Sequence, residues 1–255
     1  MKDQMTPRAD TARIAAGFRR SLGTYSTAAT VQAEIAQELA RQIAAHAPPE
    51  IAQVFEFGCG TGVLTRALRA QLNGVQFILN DLVAECATTA APGEVFLPGS
   101  VDDIALPQGV DLIASASTVQ WLPDLPGTLR RLSEALVPGG LLALSGFGTA
   151  QFAQLGALGS AGAAPGYLNA RQWRQVLPGD LQVLHLSQRQ TTLHFPDALS
   201  VLRHLRDTGV NGVSGQRWSR RRLTAFAAAY QARFGTAEGL PLTYDPVWIV
   251  ARKAY

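Results

Sequence analysis

Residues 54–62 read Val54-Phe55-Glu56-Phe57-Gly58-Cys59-Gly60-Thr61-Gly62, and a helical pattern follows over residues 63–72. An apolar strand at 51–57 that runs into a glycine-rich turn and then a helix lets backbone pass close to a ligand. In open α/β sheets such strand ends are where small molecules bind. A P-loop is excluded, because no Gly-Lys-Ser or Gly-Lys-Thr follows. A dinucleotide turn wants GxGxxG with a pyrophosphate on the helix N-terminus, but Val63 stands where its third glycine would be.

Working outward, strands and helices alternate. Residues 75–79, 95–98, 110–116 and 141–147 read as strands. A short helix follows Leu82, and another spans 125–136 with Leu125, Leu129, Leu132 and Leu136 as its buried stripe. This alternation predicts a mostly parallel sheet with helices on both faces. Two helices precede the first strand. One carries Ile14, Phe18 and Leu22; the other runs over 30–45 with Val31, Ile35, Leu39 and Ile43 on one face, ending at Pro48-Pro49. Residues 148–168 are rich in Gly, Ala and Ser and read as a mobile connection, a lid over the site. Beyond it come a helix capped by Asn169, one strand over 181–193, helices over 196–208 and 219–234, and a last strand at 247–251. Three regions are expected: a helical cap (1–48), an α/β core (49–147), and a C-terminal half of the sheet with inserted helices (148–255).

The chain of 255 residues is 47% apolar and 16% charged, enough to bury a real core and exclude global disorder. Two cysteines, Cys59 and Cys86, and four scattered histidines offer neither a disulfide scaffold nor a zinc site. No run matches a membrane span, and residues 1–18 make a poor signal peptide, so a cytoplasmic location is expected. All but two of the 22 basic residues are arginines, against 19 acidic ones. Their densest cluster is Arg217-Trp218-Ser219-Arg220-Arg221-Arg222. Aromatics do not alternate with the basic residues, which argues against nucleic acid.

The glycine turn preceded by Glu56 resembles the first motif of class I methyltransferases that use S-adenosyl-L-methionine. The resemblance implies a Rossmann-like fold with a seven-stranded sheet. It implies that Gly58, Gly60 and Gly62 admit the cofactor, and that Glu56 organises the turn and the ammonium side. A carboxylate suits a ligand that carries an ammonium and a sulfonium but no pyrophosphate. Asp81, 25 residues after Glu56, is placed to accept the ribose hydroxyls, with Leu82 against the adenine face. Many family members have Gly-Asp-x-Glu after strand three; here Gly99-Ser100-Val101-Asp102 stands instead, so Ser100, Val101 and Asp102 are the expected adenine contacts. In Ser115-Ala116-Ser117-Thr118-Val119-Gln120-Trp121, Ser117 and Gln120 would place cofactor or substrate, and Trp121 would be pocket wall or core.

A narrower resemblance covers nearly the whole chain. Phe18, Tyr25, Ala28 and Gln32, the segment 117–121, residues 202–212, and the ending Leu240-Pro241-Leu242-Thr243-Tyr244-Asp245 are similar to malonyl-[acyl-carrier protein] O-methyltransferases of biotin synthesis. Ser100 and the 148–168 stretch depart from that pattern. The resemblance implies methyl transfer from S-adenosyl-L-methionine, without a metal, to the free carboxylate of a malonyl thioester. The carboxylate is already ionised, so no catalytic base is required. Tyr25 and Gln120 are the expected catalytic groups, and Arg203 or Arg206 the expected carboxylate clamp, with Arg19 and Arg20 behind them. With Arg203 and Arg206, Arg220, Arg221 and Arg222 would dock an acidic carrier protein. Malonyl-acyl carrier protein or malonyl-CoA is the expected partner of a monomeric chain, with neither nucleic acid nor membrane. Alternatives are an O-methyltransferase for another small carboxylate or natural product, a nucleic-acid methyltransferase, and a non-catalytic binding subunit.

Overall fold

The computed structural model describes residues 11–159, 164, 166–208 and 219–255, with residues 24–28 described as backbone alone. The apolar run before the glycine turn forms β1 (Gln53–Phe57). It lies between β2 (Gln76–Asp81) and β4 (Val110–Ala116), parallel to both, with β3 (Val95–Pro98) outside β2. On the other side β4 pairs in parallel with β5 (Leu136–Phe147). The last strand, β9 (Pro246–Lys253), runs antiparallel between β5 and β6 (Leu181–Gln188). The seven-stranded order is β3-β2-β1-β4-β5-β9-β6. Chain direction across the sheet reverses beside β1, so a crevice opens at the C-terminal ends of β1 and β4. Val54, Phe55, Leu79, Leu112 and Ile113 are fully covered, as expected of strands buried on both faces.

Helices cover the two faces. On one, α2 (Thr30–His46) buries Val31, Ile35, Leu39 and Ile43, the stripe its period predicts. On the other, α4 (Leu125–Ala135) buries Leu125, Leu129 and Leu132 beside Trp173. Asp124 caps α4 by accepting from the Gly127 amide. Each fully buried aliphatic side chain of these stripes contributes roughly 1.5–3 kcal/mol. The Trp248 indole N–H of β9 donates to the Ile35 carbonyl at 3.0 Å, fastening α2 to the sheet. Ahead of α2, α1 (Thr11–Ala28) crosses the crevice mouth, with Phe18 edge-on to Trp121 at 5.8 Å.

The C-terminal part departs from the expected pattern in one respect. Residues 181–193 are not one strand. β6 ends at Gln188, and Thr191–Phe195 forms a separate strand, β7, that pairs with β8 (Leu240–Tyr244) in a two-stranded sheet. The side chain of Gln188 donates to the buried Asp245 carboxylate, and the Arg189 amide donates to the Pro246 carbonyl. These bonds end the ladder and let the chain leave the main sheet. Asp245 also accepts from the Ala150 amide, and the Phe152 amide donates to Thr243. So the first part of the Gly/Ala-rich connection is tied to β8 and contains a short helix, α5 (Ala153–Ala157). Helices α6 (Ala170–Val176), α7 (Ala198–Asp207) and α8 (Arg220–Phe234) start at Asn169, Asp197 and Ser219, each accepting a capping hydrogen bond. Among the described residues, no helix is long and apolar enough to cross a membrane.

Replacing Trp248 with Phe removes the bond to Ile35 and leaves part of the buried indole's space unfilled. It is expected to cost about 2–3 kcal/mol, lowering the melting temperature by about 4–10 °C in a scanning calorimeter.

Candidate functional site

The turn after β1 is shaped by what presses on it. A Cβ at Gly58 would stand 2.2 Å from Thr118 Oγ1, and φ is +64° there, so backbone alone fits. Asp81 at the end of β2 holds the turn from the other side. Its Oδ2 accepts from the Gly60 amide at 2.8 Å and its Oδ1 from the Val83 amide at 2.7 Å. Burial raises the Asp81 pKa, and these amides together with the Cys86 thiol oppose the rise. Gly62, at φ +78°, precedes the first residue of α3 (Val63–Arg69) and starts that helix without facing the crevice cavities.

Three cavities meet at this edge of the sheet. The largest, about 950 Å³ with its mouth, is lined by Gly58, Gly60, Asp81, Leu82, Ser100 and Val101, roofed by Ile14 and Phe18 of α1. A second, of about 370 Å³, lies beneath the turn between Glu56, Gly60, Val63 and Gln32 of α2. A third, of about 340 Å³ with its mouth, is bordered by Gln32, Gln120, Phe147, Tyr167 and Thr208. Ser117 lines all three. It has a left-handed backbone, φ +56°, at a cost of roughly 1–2 kcal/mol for a residue with a Cβ. Its amide donates to the Ser145 carbonyl at 3.0 Å, and its own carbonyl accepts from Gln120 Nε2 at 2.7 Å.

The second cavity is short of donors. Glu56 is 1% exposed, and its Oε2, the Gln32 Oε1 and the Ser117 Oγ are buried without a hydrogen-bond partner. Burial pushes the Glu56 pKa up to about 8; the nearby Thr65 hydroxyl and Arg69 guanidinium moderate the rise. Unpaired acceptors of this kind cost free energy unless a donor meets them. A cationic group with several N–H donors, such as an ammonium, suits these acceptors. The acceptor set therefore fits the amino-acid end of S-adenosyl-L-methionine, and the larger cavity beside Asp81 fits a nucleoside.

Several expected residues take other positions. Asp102 does not line the cavity. Its carboxylate turns to the Thr128 hydroxyl of α4, while the Arg131 guanidinium binds the backbone carbonyls of Val101, Asp102 and Ile104. This pins the turn after β3 and leaves Ser100 and Val101 facing the crevice. Asn80 is committed to the Leu97 and Gly99 carbonyls. Arg203 and Arg206 are exposed on α7 and border none of the three cavities, so neither is a clamp inside the crevice. Arg19 pairs with Glu85 at the surface. Arg220, Arg221 and Arg222 are exposed in the first turn of α8. The backbone of Tyr25 belongs to α1, but its side chain lies outside the described residues, as do residues 209–218 with Arg217 and Trp218. Trp121 is both wall and core: it lines two cavities and is 9% exposed. Tyr167, Phe147 and Thr208 were not foreseen. Tyr167 is an aromatic in a stretch otherwise dominated by small residues, which was its one visible signal.

A family model described as a methyltransferase domain matches residues 28–214. A malonyl-[acyl-carrier protein] O-methyltransferase of Chlorobium luteolum is 34% identical over 254 residues, covering 96% of each chain. That of Prosthecochloris aestuarii is 36% identical over 247 residues, covering 92% of this chain and 91% of the relative. Among solved structures, a plantazolicin methyltransferase in complex with SAH superposes with a TM-score of 0.56 at 12% identity, covering 96% of this chain and 95% of that one. The YcgJ protein of Bacillus subtilis gives 0.59 at 12% identity, over 86% of this chain and 99% of that one.

Because Glu56 keeps its proton in the fold up to about pH 8 but loses it near pH 4.5 when unfolded, its contribution to stability is present below about pH 4.5 and lost as pH rises to about 8. Glu56→Gln is expected to flatten that decline. Melting curves should show the variant gaining on the parent from pH 5 to pH 8.5; parallel curves would show that the carboxyl is not buried as described.

Proposed function

The chain belongs to the malonyl-[acyl-carrier protein] O-methyltransferase family, and from that membership we propose that it methylates the free carboxylate of a malonyl thioester carried on acyl carrier protein, with S-adenosyl-L-methionine as donor. The observation that carries the reading is the meeting of three cavities at Ser117: one nucleoside-sized, one lined with unpaired acceptors, one small and lined by neutral polar and aromatic side chains. When bound, S-adenosyl-L-methionine supplies an activated methyl group on a sulfonium.

The residues divide the work. Glu56, Gln32 and Ser117 receive the ammonium end. Gly58 and Gly60 let backbone approach the ligand, and Asp81 offers its remaining lone pairs to the ribose hydroxyls while it holds the turn. Leu82, Ser100 and Val101 take the adenine side. Ser117 and Gln120 stand where donor and acceptor meet, and Tyr25 of α1 takes the catalytic role that the family resemblance implies. No residue need act as a base, since the acceptor carboxylate is ionised at neutral pH. The chain's task is orientation and exclusion of water, which α1 serves by covering the mouth with Ile14 and Phe18.

The arginines act outside. Arg203 and Arg206 lie on α7, whose end at Thr208 reaches the third cavity. With Arg220, Arg221 and Arg222 they form a basic rim for an acidic carrier protein, steering its docking so that the thioester arm enters beside Thr208. The products are the malonyl methyl ester on the carrier and S-adenosyl-L-homocysteine. The ester removes a charge, so the group can be extended by fatty acid synthesis toward the pimeloyl thioester of biotin formation. The three regions, 1–48, 49–147 and 148–255, then serve as cap, cofactor core and acceptor side of a cytoplasmic enzyme.

Mass spectrometry of malonyl-carrier protein incubated with the enzyme and S-adenosyl-L-methionine tests the reaction. One added methyl, about 14 Da by the mass of CH₂, is expected on the malonyl carrier and none on the acetyl carrier. Unchanged malonyl carrier would move the reaction to another acceptor. In calorimetry, Asp81→Ala should weaken S-adenosyl-L-homocysteine binding by about tenfold or more, the scale of a lost charged hydrogen bond. An unchanged affinity would remove Asp81 from the ribose site.

A further inference from the structure

The third cavity is lined by a phenol whose position is fixed by three separate segments. Tyr167 lies in the Gly/Ala-rich connection, yet its backbone is tied down on both sides. The Gly166 amide donates to the Gln120 carbonyl at 3.0 Å, and the Leu168 amide donates to the Phe147 carbonyl at 3.0 Å. Gly166 has no room for a side chain, since a Cβ would come 2.8 Å from the Gln120 carbonyl oxygen. The Tyr167 ring meets Phe147 edge-on at 6.4 Å between centroids, and its hydroxyl shares a hydrogen bond with the Ala164 backbone. Burial pushes its pKa up to about 12, so the hydroxyl keeps its hydrogen at neutral pH.

The chemistry of the walls narrows what this hydroxyl does. None of the described residues lining this cavity is Arg, Lys or His. Three of them carry a hydroxyl: Ser117, Tyr167 and Thr208. Thr208 is committed to the His204 carbonyl at 2.9 Å. That leaves Tyr167 and Ser117 as hydroxyl donors, on different walls of the same space. A carboxylate held by neutral donors is kept from water and oriented without being locked in an ion pair. An arginine on these walls would bind it more tightly by charge and leave it less free to react.

We propose that Tyr167 is the specificity-determining residue for the acceptor, donating its phenolic hydrogen to the free carboxylate so that a malonyl thioester is held and an acetyl thioester is not. The proposal rests on the methyl-transfer reading above. It also accounts for the absence of the expected arginine clamp from the described cavity walls. The arginines of α7 and α8 serve the carrier protein, and a neutral phenol serves the small carboxylate.

The test is the binding of malonyl-pantetheine and acetyl-pantetheine to the protein saturated with S-adenosyl-L-homocysteine, in the parent and in Tyr167→Phe. The substitution keeps the ring against Phe147 and removes the hydroxyl. Affinity for malonyl-pantetheine should fall about 10- to 100-fold, the range for a hydrogen bond to a charged group. Binding of acetyl-pantetheine and of S-adenosyl-L-homocysteine should not move, and the melting temperature should fall by no more than about 2–4 °C, the scale of the lost bond to Ala164; a merely structural tyrosine would lower stability without separating the two thioesters. With malonyl-carrier protein, KM should rise more than kcat falls. Malonyl affinity and kcat/KM both within twofold of the parent would overturn the role of Tyr167 while leaving methyl transfer standing. A parent that neither binds malonyl-pantetheine nor adds mass to malonyl-carrier protein would overturn the reading beneath it and this proposal with it.

Discussion

Glu56 sits at the C-terminal end of β1, sealed between Gln32 of α2 and the glycine turn, with one carboxylate oxygen that no protein group meets. A carboxylate cannot stay charged in such a place without a partner, and its raised pKa is the physical consequence. The surrounding architecture keeps it there. Residues 54 and 55 are apolar and fully covered, so β1 cannot slide to bring Glu56 to water. Gly58 lets Thr118 press against the turn, and Asp81 pulls the Gly60 amide across from β2. The result is a stable pocket with the wrong solvation for itself and the right one for a cation.

The second constraint is Ser117. Its left-handed backbone turns the chain at the end of β4 so that one residue borders all three cavities. The bonds from its amide to Ser145 and from Gln120 to its carbonyl hold that conformation. Charge is distributed in keeping with the chemistry. Unpaired acceptors collect in the second cavity, neutral hydroxyls line the third, and Arg203 and Arg206 of α7 and Arg220, Arg221 and Arg222 of α8 are exposed. A reaction between an anion and a cation consumes both charges. An interior that solvates neither strongly favours it, and a rim that attracts the acidic partner does not interfere.

Much of this was legible in the sequence because local pattern and local structure agree. The strand, the glycine turn and the carboxylate 25 residues on are set by short-range geometry, and the stripe of Val31, Ile35, Leu39 and Ile43 by helical period. Ser219 and Asn169 cap the helices they precede. What was not legible depends on contacts between distant segments. The break after Gln188 is caused by Asp245, 57 residues away, and the strand over 240–244 exists because β7 is released to pair with it. Asp102 looks like a ligand residue until Thr128 and Arg131 of α4 claim the turn that carries it. Arg203 and Arg206 read as a clamp from charge alone, but the buried face of α7 is formed by Ala198, Val201 and Leu205, which sends both arginines outward. Tyr167 is hidden by composition, since small residues suggest slack where two backbone bonds hold the chain taut.

The buried carboxyl can be observed directly. Carbon-13 NMR of the glutamate side-chain carboxyls, assigned with Glu56→Gln, follows its titration in the free protein and with S-adenosyl-L-homocysteine bound. In the free protein Glu56 should titrate near pH 8, and the bound ammonium should drive its pKa well below that value. A Glu56 signal that titrates in the ordinary carboxylate range when free, or that does not move on binding, would contradict the view that this site is a buried carboxyl that keeps its proton until a cation takes its place.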